Sequence, residues 1–210
     1  MDIISICKPY TMLSDERINQ NIQSIRYIQE MKIPGDVVEI GVWKGGSMMS
    51  MILEYETFNE TERSFHLYDT FTGMTSPSVF DVDLSGTSAD RILHVPGVKA
   101  ECPYTEVASN LFKHVRYPRT KINFHVGDIR KNTVYPESIA VLRLDTDFYD
   151  STSHELTTFY PKVSPGGIIT IDDYGHWKGC RKAVDEFLAL HPSIKIYPID
   201  YTGIYFMKPS

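Results

Sequence analysis

Two stretches of the chain place a pair of carboxylates directly after an apolar run: Val141-Leu-Arg-Leu-Asp-Thr-Asp147 and Ile168-Ile-Thr-Ile-Asp-Asp173. Asp145 and Asp147 stand two residues apart, which in extended chain puts both on one side. If the two runs are neighbouring strands, Asp145, Asp147, Asp172 and Asp173 meet in one cleft. Four unpaired carboxylates there would repel and raise one another's pKa. A hard divalent cation such as Mg²⁺ or Ca²⁺ removes that repulsion, because both favour oxygen ligands. His176 and Trp177 follow directly, and a histidine there is able to orient a substrate or move a proton.

A second set follows the apolar run Asp36–Ile40: Glu39, Gly41, Gly45, Gly46 and Ser47. Glycines let the backbone approach a ligand, and a helix starting at Ser47 presents free N–H groups. The spacing is neither G-x-G-x-x-G nor that of a phosphate-binding loop with its lysine. Asp69 ends the next apolar run, 28 residues after Gly41, where an acid typically accepts from ribose hydroxyls. Gly127-Asp128 ends a third, where a carboxylate can reach an adenine amino group. Together these features favour an adenosine-type cofactor. Trp43 and Tyr149 are candidate pocket walls. The remaining histidines form no metal spacing, and Cys7, Cys102 and Cys180 have no evident catalytic partner.

The elements that must position these residues alternate along the chain. Strands are expected over 36–40, 64–68, 121–126, 139–144 and 167–171, with helices over 47–56, 105–115, 151–160 and 178–190. Ile194–Ile199 and Gly203–Met207 read as a terminal hairpin. Ser14 caps an N-terminal helix in which Ile18, Ile22, Ile25 and Ile28 recur at helical spacing. Residues 72–103 carry many glycines and prolines and little periodicity, which suits a lid with short helices inside it. The pattern predicts an open doubly wound α/β fold with a mostly parallel sheet, an N-terminal arm over 1–33 and an inserted lid over 74–103.

Composition excludes more than it names. The 210 residues suit one domain, and 27 acidic against 21 basic residues give a net charge of −6, the wrong sign for gripping a phosphate backbone. Neither a basic membrane patch nor a long apolar span is present, and three scattered cysteines make no disulfide framework. The expectation is a cytoplasmic protein that binds neither nucleic acid nor membrane.

The sequence resembles the macrocin O-methyltransferase family, known from methylation of sugars on macrolide and aminocoumarin antibiotics. The likeness runs through Tyr10–Ser14, Ile33–Ser47, Asp69–Met74, Asp81–Asp83, Leu142–Asp147, Tyr149–Thr152, Tyr160–Gly167 and Asp172–Gly179. It implies a Rossmann-like class I methyltransferase fold with a seven-stranded sheet, and S-adenosylmethionine and Mg²⁺ as cofactors. It further implies a sugar or glycoside acceptor and a homo-oligomer, dimer or higher. By position, Asp145, Asp172 and Asp173 would hold the metal, Asp147 would be the general base and His176 would act beside it. Glu39, Gly41, Gly45 and Ser47 would hold the methionine end of the cofactor, Asp69 the ribose, and Gly127 and Asp128 the adenine. Thr11 and Met12 would close over it. One departure stands out: family members often carry glycine where this chain has Thr146.

Three rival readings stay open at this point. Asp145-Thr-Asp147 is also an Asp-x-Asp pattern, which would suit a metal-dependent nucleotide-sugar glycosyltransferase, though the 39–47 turn and Asp172-Asp173 then lack a role. A nicotinamide dehydrogenase would need a different glycine spacing. A catalytically silent binding module would have no use for acids at every strand end.

Overall fold

The computed structural model describes residues 2–95 and 100–209. Seven strands form one sheet: β1 (Asp36–Ile40), β2 (Phe65–Asp69), β3 (Ile122–Val126), β4 (Ile139–Leu144), β5 (Val163–Ile171), β6 (Tyr197–Pro198) and β7 (Ile204–Met207). Their spatial order is β3-β2-β1-β4-β5-β7-β6. The first five run parallel, and β7 pairs antiparallel with both β5 and β6. β4 is buried along its whole length, as a central parallel strand covered on both faces must be.

Helices cover both faces. On one side lie α1 (Ile3–Cys7), α2 (Asp15–Glu30), α3 (Gly46–Glu56) and α5 (Tyr104–His114); on the other lie α6 (Tyr149–Phe159) and α7 (Lys178–Leu190). α2 begins where Ser14 Oγ accepts from Arg17 N at 3.2 Å. It buries Ile18, Ile22, Ile25 and Ile28 against the sheet, at about 1.5–3 kcal/mol for each such side chain. No described helix is long and apolar enough to cross a membrane.

Several details depart from the sequence pattern. α1 was not expected; its five residues pack Ile3 and Cys7 against the core. The expected strand over 194–199 pairs only at Tyr197 and Pro198, while β5 starts four residues earlier than expected. The expected lid contains α4 (Ala89–Leu93) and a bridge between Val82 and Ser88. Its order comes from a side chain: buried Asp81 accepts from Ser78 N at 2.6 Å and from Tyr149 N, at the start of α6, at 2.8 Å. Part of that segment, 96–99, lies outside the described residues.

Strand order reverses between β1 and β4, the place where open α/β sheets bind ligands beyond the carboxyl ends of their strands. Register sets what meets there. Ile40 pairs with Leu144, and Leu144 with Ile171, so Gly41, Asp145 and Asp172 come next, abreast on three adjacent strands. Gly41 has φ +86°, and a Cβ there would sit 1.9 Å from the Asp145 carbonyl oxygen. Only glycine fits so close an approach.

Candidate active site

A cavity of about 440 Å³ opens at that switch point. Of the residues singled out from sequence, Thr11, Met12, Gly41, Ser47, Asp69, Gly127, Asp145, Asp147, Asp172, Asp173 and His176 line it, as does Trp43. Glu39, Gly45, Gly46, Asp128 and Tyr149 do not. Glu39 is fully buried and pairs with Arg143 Nε at 3.2 Å; it sits behind the wall because it precedes the strand end by one residue. Gly45, with φ +89°, caps α3 and packs against Val107 and Leu111 of α5. The Asp128 carboxylate is occupied by Arg130, whose Nε and Nη2 donate at 2.9 and 2.8 Å and hold it below the usual carboxylate range.

On the β1–β2 side, Asp69 organises the glycine turn. Its Oδ2 accepts from Val42 N at 2.7 Å and Trp43 N at 3.1 Å, and its Oδ1 from Phe71 N at 2.8 Å. Thr70 Oγ1 adds a long fourth bond to Oδ1 at 3.4 Å, and it is the donor a ligand hydroxyl would most readily displace.

On the β4–β5 side the four aspartates do converge. One oxygen from each of Asp145, Asp172 and Asp173 lies within 4.8 Å of the others, a set that can hold a metal ion. Asp147 stands at φ +67°, and its Oδ1 accepts from Trp177 Nε1 at 2.8 Å. Loss of solvent in the cleft, with the neighbouring aspartates adding, pushes Asp145 up to about 7 and Asp147 up to about 8; Asp173 moves the same way. Burial likewise raises Glu155 to about 8; its Oε1 accepts from Thr146 Oγ1 at 2.8 Å.

Two arginines answer this charge. Arg143, with no exposed surface, donates from Nη2 to Asp145 Oδ2 at 2.9 Å and to Asp172 Oδ1. Arg17, from the first turn of α2, donates to Asp172 Oδ2 and lies 2.9 Å from Asp200 Oδ2. Even so, the cluster is not saturated. Among the described residues, the buried side-chain polar atoms without a hydrogen-bond partner are Arg17 Nε, Glu39 Oε2, Arg143 Nη1, Glu155 Oε2 and Asp173 Oδ2, all around this cluster. An unpaired buried carboxylate oxygen beside three other acids, in an all-oxygen donor set, fits a hard divalent cation.

Sequence reasoning named neither Arg143 nor Glu155 as part of the site. A signal for Arg143 existed: an arginine inside an apolar strand is rarely buried unless paired. For Glu155 no signal existed, because a glutamate on an otherwise polar helix face reads as solvated.

Residues 6–208 match the sequence model of a family described as Macrocin-O-methyltransferase (TylF). The chain belongs to the macrocin O-methyltransferase family. It is 31% identical over 204 residues to demethyldecarbamoylnovobiocin O-methyltransferase of Streptomyces niveus, covering 95% of this chain and 76% of that one. Mycinamicin III 3''-O-methyltransferase of Micromonospora griseorubida is 32% identical over 204 residues, covering 95% and 78%. The solved structure of the O-methyltransferase NovP superposes with a TM-score of 0.83 at 30% identity, covering 96% of this chain and 83% of that one. The protein is therefore an enzyme of a methyltransferase family, on the fold of NovP. With the chain in a methyltransferase family, the glycosyltransferase reading of Asp145-Thr-Asp147 loses its ground.

Proposed function

We propose that the protein transfers a methyl group from S-adenosylmethionine to a hydroxyl of a sugar or glycoside, with a divalent cation, Mg²⁺ by preference. The observation that carries this reading is the joining of four aspartates and the glycine-turn wall with Asp69 in one cavity, in a chain whose relatives are named as O-methyltransferases, one of them for the 4'-O-methylation of a rhamnosyl-tetracenomycin C. Asp145, Asp172 and Asp173 would hold the cation. Asp69, with the Gly41–Ser47 turn and Gly127, would hold the cofactor, and Thr11 and Met12 would close over it.

When bound, a hard cation stabilises the negative charge that develops on a hydroxyl oxygen, and S-adenosylmethionine supplies the electrophilic methyl. The chain's own part is aim and proton transfer. A sugar hydroxyl is a poor nucleophile at neutral pH, so it needs a base. Asp147 is the base: Trp177 fixes its Oδ1, leaving Oδ2 for the proton. His176 and Tyr201, on the same wall, orient the acceptor. The described part of the expected lid, 74–95 and 100–103, closes over the site, and the chain acts as one domain.

The test incubates the enzyme with S-adenosylmethionine, Mg²⁺ and a panel of glycosides, and reads the product by mass. A product heavier by one CH₂, formed only with cation and lost on exhaustive chelation, is expected. Methylation that survives chelation would remove the cation from the mechanism; transfer of a sugar instead of a methyl would overturn the reading altogether.

A further inference from the structure

Arg143 is a fully buried guanidinium one residue before the end of a fully buried strand. It does not line the cavity. We propose that Arg143 is the positioning residue of the cation site, which sets the separation of Asp145 and Asp172. This inference rests on the cation reading given above.

The geometry is a three-strand clamp. On β1, Glu39 is the register partner of Arg143, and Glu39 Oε1 accepts from Nε at 3.2 Å. On β4 itself, Asp145 is two residues further along the same face, and its Oδ2 accepts from Nη2 at 2.9 Å. On β5, Thr170 is the register partner, and Asp172, two residues further along, accepts at Oδ1 from the same Nη2. One nitrogen thus joins two carboxylates on neighbouring strands, and the other end of the fork is anchored on a third strand. The result leaves one oxygen each of Asp145 and Asp172 within 4.8 Å of an Asp173 oxygen.

Chemistry explains why this must be arginine. Its planar guanidinium carries donors in a fixed fork, whereas lysine is a point charge on a flexible stem. A lysine at 143 neutralises charge but cannot bridge Glu39, Asp145 and Asp172 at once. Nor is a buried charge in a central strand a cheap way to stabilise a core, since well-packed apolar residues generally do as well or better. Arg17 differs: it reaches Asp172 from the cavity side and lines the cavity itself. Arg143 acts only through the carboxylates it holds.

The experiment titrates Mn²⁺ alone into wild type and Arg143→Lys by calorimetry, and measures S-adenosylhomocysteine affinity without metal in parallel. Arg143→Lys is expected to weaken Mn²⁺ binding about 10–100-fold, as loss of a ligand-orienting partner does, with S-adenosylhomocysteine affinity held within about threefold. Unchanged Mn²⁺ affinity would overturn the proposal. An equal loss of both ligands would also overturn it, by making Arg143 a general fold residue. If the variant is unstable alone, the titration is repeated on the S-adenosylhomocysteine complexes of both proteins, since a ligand that binds only the folded state stabilises it; a variant that this ligand cannot rescue counts against the proposal. Failure of the cation reading looks different: wild type itself then takes up no Mn²⁺, and the inference falls with it.

Discussion

Asp69 at the end of β2 and the aspartates at the ends of β4 and β5 face the same cavity but are held by opposite means. Asp69 takes its hydrogen bonds from backbone N–H groups of Val42, Trp43 and Phe71. Those donors come with the turn, so the carboxylate is satisfied as soon as the strand-to-helix connection forms. Asp145 and Asp172 are held instead by arginine side chains from β4 and α2, and Asp173 keeps a buried oxygen with no partner. The first arrangement makes a preorganised ledge for a neutral or cationic ligand. The second is left with excess negative charge, which only an added cation or proton relieves. One side of the cavity is finished by folding; the other keeps charge that its own side chains do not fully answer.

That contrast is open to breaking, beginning with its strongest consequence. Asp147→Asn keeps the shape of the side chain and removes the base, so kcat should fall about 10²–10⁴-fold. Mn²⁺ and S-adenosylhomocysteine affinities should barely move, and full turnover in steady-state assays would refute the role. Asp69→Asn should act on the other wall alone. Its amide nitrogen cannot accept from the backbone, and a hydrogen bond to a charged group is worth about 1.5–3 kcal/mol. S-adenosylhomocysteine binding should therefore weaken roughly tenfold to a hundredfold by calorimetry, with Mn²⁺ affinity intact; loss of both would mean the two walls are coupled. The smallest effect belongs to Asp128→Ala. Because Arg130 already occupies that carboxylate off the cavity wall, cofactor affinity should change by less than about threefold, well under the 1.4 kcal/mol of a tenfold step. A larger loss would show that the carboxylate turns inward to the adenine.

The legible part of the molecule was what depends on neighbours in the chain. The strand runs, the isoleucine spacing of α2 and the cap at Ser14 follow from periodicity and local hydrogen bonding. The pairs Asp145/Asp147 and Asp172/Asp173 could be placed at strand ends because an apolar run stops there. Asp81 shows the limit: its side chain anchors a segment that looks unstructured, through a bond to Tyr149 N, 68 residues away. Glu39 shows it again. From the chain it reads as a cofactor contact at the end of β1, and only the pairing of β1 with β4 shows that Arg143 faces it.

By itself, then, the amino-acid sequence determined which residues were available and on which element each would sit, since strand and helix periods are local properties of the chain. Only the tertiary structure decided which of them share a cleft. Register aligned Gly41, Asp145 and Asp172 on three strands, and that alignment sets where the carboxylates meet. It also decided which charges are answered and which are not, because partners of Arg143 and Arg17 arrive from elements far apart in the chain. A buried charge has no energy of its own until its surroundings are known.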